Sequence, residues 1–318
     1  MTKKSSRFRF LCINMIFIVF FVFFSCDSGT RTGMTGSVPD DSPLQTVRNL
    51  REENSQYGKN PSKSTAYHAP EIKAILDRGY LIFAMTSRDH KPFFYFHEET
   101  GEFIGLDVEL AYSIANLMGV EARFNREAAN FDEVVLMVAN RTADIALSKL
   151  SLTIKRAEMV RFTNPYIVFR QALLINRLEY ARIGSEEQLP NFIRNFRGAM
   201  GVIANSSYEN YAAVNFPNAE IKTFGNWDEA IDALFRGELM AVYRDEGEIL
   251  ITDNTRKDAS ILMKPVFIGD KKDPIAMAVS ADAPVLRDWL NIFLDDYMTQ
   301  SRHELNPGRL IARHFKNM

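Results

Sequence analysis

From about residue 70 onward, apolar and polar positions follow two rhythms. Tyr80–Met85 is a short apolar run that reads as a buried strand, preceded by a helical segment, Glu71–Arg78, that Gly79 closes. Val108, Leu110, Ala111, Ile114 and Leu117 fall at helical spacing in Asp107–Met118, and Gly119 ends that helix. Glu121–Phe124 is predicted as a strand. Asn130 caps a helix running through Ala139, and Ala143–Leu147 is a short strand. A brief helix is predicted over Ile154–Val160.

The rhythm then repeats. Ile167–Ile175 and Ala199–Ile203 read as strands, and Ser206 with Glu209 forms a capping box for a helix to Asn215. Ile221–Phe224 is a strand, Asn226 with Glu229 caps a helix that Gly237 stops, and Leu239–Tyr243 is a strand with Asp245 just beyond it. Ile275–Val279 returns as a strand. A long helix follows with Pro284 in its first turn, and an amphipathic segment ends near Phe315. Short strands alternating with helices predict α/β architecture with parallel sheets. One unit, an inserted second unit and a return predict two lobes: 68–168 with 270–318, and 169–269. Crossings near Val168–Gln171 and Val266–Asp273 are the hinge candidates.

The N-terminus has its own pattern. Lys3, Lys4, Arg7 and Arg9 precede Phe10–Phe24, an apolar run broken only by Asn14. This is the layout of a secretory signal peptide, residues 1–25, too short to span a bilayer comfortably. Phe23-Phe24-Ser25-Cys26 resembles a bacterial lipobox, which implies cleavage before Cys26 and lipid on its thiol, although Phe23 stands where the pattern prefers Leu. Residues 26–67 are rich in Gly, Ser, Thr, Pro and Asn and read as a flexible tether to a membrane-held lipid.

Composition removes several classes of function. A net charge of −2 offers no broad basic face, so no nucleic-acid partner is expected. The only cysteines are Cys12 and Cys26, and the five histidines lack metal-ligand spacing, so no metal site is expected. Neither a phosphate loop nor a nucleophile elbow is present, and no cofactor is expected. The chemistry concentrates at Ser148-Lys149-Leu150-Ser151-Leu152-Thr153-Ile154-Lys155-Arg156, where a strand hands over to a helix. Free N–H groups at such a corner favour anions. Arg156 opposes the helix dipole there, and a bound carboxylate, gripped by two parallel hydrogen bonds, would account for it.

These segments resemble the bacterial extracytoplasmic solute-binding proteins of the polar amino acid class, the receptors of ABC importers. The carrying motifs are Gly101-Glu102-Phe103-Ile104-Gly105-Leu106-Asp107, Ala143 to Arg156, Phe162-Thr163-Asn164-Pro165-Tyr166 and Asn205-Ser206-Ser207-Tyr208-Glu209. The resemblance implies a two-lobed periplasmic-binding-protein fold of type II, a free amino acid ligand, an ABC permease partner, a monomer and no catalysis. It implies that Arg156 holds the α-carboxylate, with Ser151, Ser206 and Ser207 adding donors. Asp245 would take the α-ammonium, Ser148 would assist it, and Phe131 would pack on the ligand side chain. Ser87 stands where receptors for basic amino acids carry an aspartate, His90 where an aromatic often stacks, and Lys149 where a small residue is usual. Together these argue for a polar or acidic ligand over a basic one. Two rivals use the same scaffold: a periplasmic cyclohexadienyl or arogenate dehydratase, and a ligand sensor without transport.

Overall fold

The computed structural model describes residues 42–57, 67–183, 185, 188–300 and 305–315. Its strands are β1 Tyr80–Thr86, β2 Tyr95–Phe96, β3 Phe103–Ile104, β4 Glu121–Ala128, β5 Ile145–Ala146 and β6 Val160–Phe162. They continue as β7 Ile167–Asn176, β8 Ala199–Ile203, β9 Glu220–Phe224, β10 Ala241–Asp245, β11 Met263–Ile275 and β12 Ala278–Ser280. Two five-stranded sheets result, ordered β4-β1-β5-β12-β6 and β11-β7-β10-β8-β9, beside a small β2-β3 pair. The parallel strands β4, β1 and β5 form one half of the first sheet, and β10, β8 and β9 form the equivalent in the second.

Both sheets are covered on both faces, which is why their central strands carry consecutive apolar residues, as in Leu81–Met85 and Ala172–Ile175, rather than alternating. Leu81, Phe83 and Met85 of β1 enter one core with Leu110, Ile114 and Leu290; Ala84, between them, enters the opposite core with Val134 and Val138. β7 divides its side chains likewise, Leu173 and Ile175 to one side and Ala172 and Leu174 to the other. β7 and β11 pair antiparallel from Ile167↔Ile275 to Asn176↔Met263, with an irregularity between Ile268 and Lys272. These two strands carry the chain between the lobes. Gly105, at φ 128°, starts the helix Leu106–Met118 so close to Phe93 that a Cβ there would lie 2.3 Å from its carbonyl oxygen.

Four local expectations shift. The brief helix ends at Ala157, and Val160 opens β6. The predicted return strand spans the last residue of β11 and the first two of β12, with a break at Ala276 and Met277 between them. Asp245 is the last residue of β10 rather than a position past it. Ser206 is the N-cap of the helix Ser207–Asn215 but caps nothing with its side chain: its hydroxyl donates back to the carbonyl of Ile203 at 2.6 Å, while Glu209 accepts from the N–H of Asn205.

The largest departure lies in the tether. Pro43–Asn54 is a helix, opened by Pro43 after the cap Ser42. Val47 and Asn54 are buried; Arg48 and Arg51 reach Glu102. Asn54 Nδ2 donates to Asn116 Oδ1 and to the Val120 carbonyl, both at 2.8 Å, and its Oδ1 accepts from the Ala122 N–H at 2.9 Å. Ala122 lies on the free edge of β4, so the helix satisfies backbone groups that an open edge would leave to solvent. A polar composition hides this helix because amide hydrogen bonds, as well as apolar area, dock it. The signal peptide, Cys26 and the first part of the tether lie outside the described residues.

Candidate functional site

The ends of β5, β8 and β10 deliver the reactive side chains to the cleft between the sheets, where open α/β folds place their ligands. On the first lobe, Thr153 caps the helix Ile154–Ala157 by accepting the N–H of Arg156 at 3.3 Å. This fixes Arg156, only 4% exposed, pointing inward. Its Nε and Nη2 donate to Asp132 Oδ1 at 3.1 and 2.9 Å, and its Nη1 to the Ser151 carbonyl at 3.2 Å. Asp132 is half-buried at the cleft wall, and Phe131 lies 6.0 Å from the guanidinium. From the second lobe, Ser207 Oγ donates to Ser151 Oγ at 2.9 Å, so the two corners meet.

Lys149 makes the second junction. It adopts a left-handed backbone, φ 48°, which costs a non-glycine residue about 1–2 kcal/mol. The cause is visible: its N–H donates to Asp107 Oδ2 at 2.7 Å, and Asp107 Oδ1 accepts from Tyr166 Oη at 2.8 Å. Burial outweighs those hydrogen bonds and pushes the Asp107 carboxyl up to about 7. So held, Lys149 crosses the cleft over the rings of Phe93 and Phe169. Its Nζ donates to both oxygens of Asp245, at 3.1 and 3.0 Å, and to Glu248 Oε1 at 2.8 Å. Burial opposes the charge on Lys149, but the Asp245 and Glu248 carboxylates outweigh it and raise its pKa. Burial likewise works against ionised Glu248, and Lys149 with Arg244 reverses it, lowering the Glu248 pKa.

Asp245 is doubly committed. Its Oδ1 also caps the helix Glu246–Thr255 by accepting the Glu248 N–H at 3.1 Å. Arg244 stands 3.7 Å from Asp245 and 3.8 Å from Glu248, and its guanidinium faces Trp227 at 5.4 Å.

The cleft has two compartments. The inner one is nearly filled, with a free volume of about 10 Å³, and is lined by Phe131, Lys149, Ser151, Arg156, Ser206, Ser207 and Asp245, together with Tyr208, Arg244, Asp273 and Ile275. The outer one, about 540 Å³, has His90, Asp89, Arg88, Trp227, Arg244 and Glu248 among its walls. His90 sits on Phe94 and Phe131 with ring centres 5.2 and 5.1 Å away. Burial first, then Arg244 and Lys149, hold its pKa well below the ordinary value, so the imidazole is neutral. Two of the sequence candidates line neither compartment. Ser148 is fully buried, its Oγ accepting from the Thr86 N–H at 3.1 Å. Ser87 is exposed, and its carbonyl accepts from Arg126.

The family model for the bacterial extracellular solute-binding proteins, family 3, matches residues 82–306. The chain belongs to that family. Among its relatives is the arginine-binding periplasmic protein of Mannheimia haemolytica, 24% identical over 211 residues, which cover 64% of this chain and 80% of the relative. Another is the ABC transporter glutamine-binding protein GlnH of Bacillus subtilis, 23% identical over 248 residues, covering 78% and 86%. The fold is shared with an ancestral amino acid-binding protein described as a precursor of cyclohexadienyl dehydratase: TM-score 0.62, 23% identity, 78% of this chain and all of that one. Among the described residues of this family 3 protein, no helix is long and apolar enough to cross a membrane.

Sequence reasoning did not single out Arg244, Glu248 or Asp273. Arg244 and Glu248 flank Asp245 at one and three residues, a spacing that reads as strand end and helix cap. Asp273 sits in Lys271-Lys272-Asp273-Pro274, which looks like a solvated turn, yet it is buried and accepts from Tyr208 Oη at 3.0 Å. Burial, then the nearby Asp245 charge, pushes its carboxyl up to about 6.

Proposed function

We propose that this protein is the solute-binding component of an ABC importer, which closes its two lobes on a small carboxylate-bearing solute and presents the closed form to a membrane permease. One observation carries the reading: a buried arginine, Arg156, faces the junction where Ser151 and Ser207 bring the two lobes together. Guanidinium with hydroxyl and N–H donors from both sides is a carboxylate receptor, and a carboxylate entering between the serines would join the lobes. Asp132, half-exposed, can yield its place on Arg156 and turn to water. The outer compartment balances Arg88, Lys91 and Arg244 against Asp89, Asp228 and Glu248, so the charge of the ligand side chain is left open.

The role is carriage, not catalysis, in an extracytoplasmic monomer held to the membrane by acyl chains on Cys26. Titration calorimetry of the chain against the amino acids and the 2-oxo and 2-hydroxy acids of matching skeleton tests the binding reading. Saturable one-to-one binding of at least one carboxylate, without turnover, is the expected result. Conversion of the ligand would replace the carrier by an enzyme, and binding of none would remove the reading. Replacing Cys26 by Ser should abolish incorporation of labelled fatty acid; persistent labelling would refute the anchor.

A further inference from the structure

We propose that Lys149 is a built-in ammonium, and that the solute is consequently a carboxylic acid without an α-ammonium, carrying an oxygen on the carbon next to its carboxylate. This rests on the carboxylate reading above and specifies its ligand. In a two-lobed amino acid clamp, a cation site takes the carboxylate and an acid on the other lobe takes the ammonium. Here the acid is already neutralised from within: Lys149 Nζ holds both oxygens of Asp245 and Glu248 Oε1, at 2.8 to 3.1 Å. Asp245 is 2% exposed, and its Oδ1 is shared with the cap to Glu248 N–H. Arg244 adds a second cation beside the same pair. A ligand ammonium approaching Asp245 and Glu248 would find both already engaged by Lys149 and two like charges at hand, which is selection by repulsion.

A keto or hydroxyl oxygen in the same place would instead accept from Lys149. The lysine is aimed, not incidental. Its left-handed backbone is fixed by Asp107, and its Nζ lies 5.3 and 5.6 Å from the ring centres of Phe93 and Phe169. The remaining acid of the compartment, Asp273, accepts from Tyr208 through Oδ2 and has Asp245 as a charged neighbour; its buried Oδ1 has no hydrogen-bond partner among the described residues and is the alternative seat for an ammonium.

The test compares matched pairs on the full chain by calorimetry: each amino acid against its 2-oxo and 2-hydroxy counterparts. The oxygen member of the bound pair should bind on the order of a hundredfold more tightly than the amino member, given the several kcal/mol that like-charge juxtaposition costs. Lys149→Gly, which suits the positive φ and empties the lysine's space, should reverse that order by freeing Asp245. Lys149→Met, which keeps an unbranched side chain and removes the charge, should bring the ratio towards one, and it serves if the glycine variant does not fold. Wild-type binding of an amino acid as tightly as its oxygen counterpart overturns the proposal while leaving the carboxylate reading intact. Loss of that binding in Asp273→Asn would then place the ammonium on Asp273. Folded Lys149→Gly and Lys149→Met proteins that keep the wild-type order also overturn it. Binding of neither series defeats the carboxylate reading itself.

Discussion

The two compartments of the cleft share a wall, formed by Phe131 and Arg244, but are built on opposite principles. In the inner one, side chains from the two lobes already answer each other: Ser151 with Ser207, and Lys149 with Asp245 and Glu248. In the outer one, a neutral imidazole and an indole stand among cations and acids around a much larger space. On the proposed reading, the inner compartment decides which functional group is admitted and whether the lobes shut, and the outer one decides which side chain accompanies that group. Specificity would then have two separable layers, and substitutions should separate them.

Arg156→Ala should give the largest effect, removing the cation from the inner compartment. The cost is ~2–5 kcal/mol, roughly thirty- to several-thousand-fold in affinity, for every ligand alike. Calorimetry showing wild-type affinity would dissolve the distinction between the layers. Glu248→Gln should come next, replacing a charge-assisted bond to Lys149 by a neutral one at a cost of ~1.5–3 kcal/mol to the closed form. Small-angle scattering should then show a larger mean radius, and an unchanged one would mean that the lysine junction does not hold the lobes. Trp227→Ala, in the outer compartment, should reorder the ligands while moving the affinity of the smallest acid by no more than about threefold, a surface-scale effect of ~0.5 kcal/mol.

A separate effect, on stability rather than on ligand affinity, is in pH. Asp107 titrates near 7 when folded but near its ordinary 3.8 when unfolded. The folded chain thus retains a proton that the unfolded chain gives up, so this group's contribution to stability falls as pH rises from about 4 to 7 and is flat above. Asp107→Asn should flatten that part of the melting-temperature profile, and an unaltered slope would mean that Asp107 titrates normally.

Most of the architecture was legible because it is local. β1 is an apolar run from Tyr80 to Met85, β7 is apolar on either side of Arg170 and Gln171, and Asn130 and Asn226 cap their helices by accepting from Glu133 and Glu229, within three residues. Arg156 was legible too, since a cation in a first turn is a local anomaly. What escaped is what depends on distant partners. Lys149 and Asp245 lie 96 positions apart, and no periodicity reports that they touch. Ser206 has a capping-box sequence but a nearer carbonyl to serve. The helix at Pro43–Asn54 has few apolar residues because Asn54 docks it on a strand edge 68 positions away.

That docking gives the two lobes unequal mechanical standing. The chain from Ser42 onward is fastened to the lobe of β1 and β4, through Asn54 and through Arg48 and Arg51 on Glu102. Anything that grips the polypeptide upstream therefore grips that lobe, which becomes the stator. In the proposed closure the lobe of β8 and β10 is the rotor, swinging on β7 and β11. A permease reading the closed form would meet one face at a fixed distance from its tether and a second that arrives only with cargo.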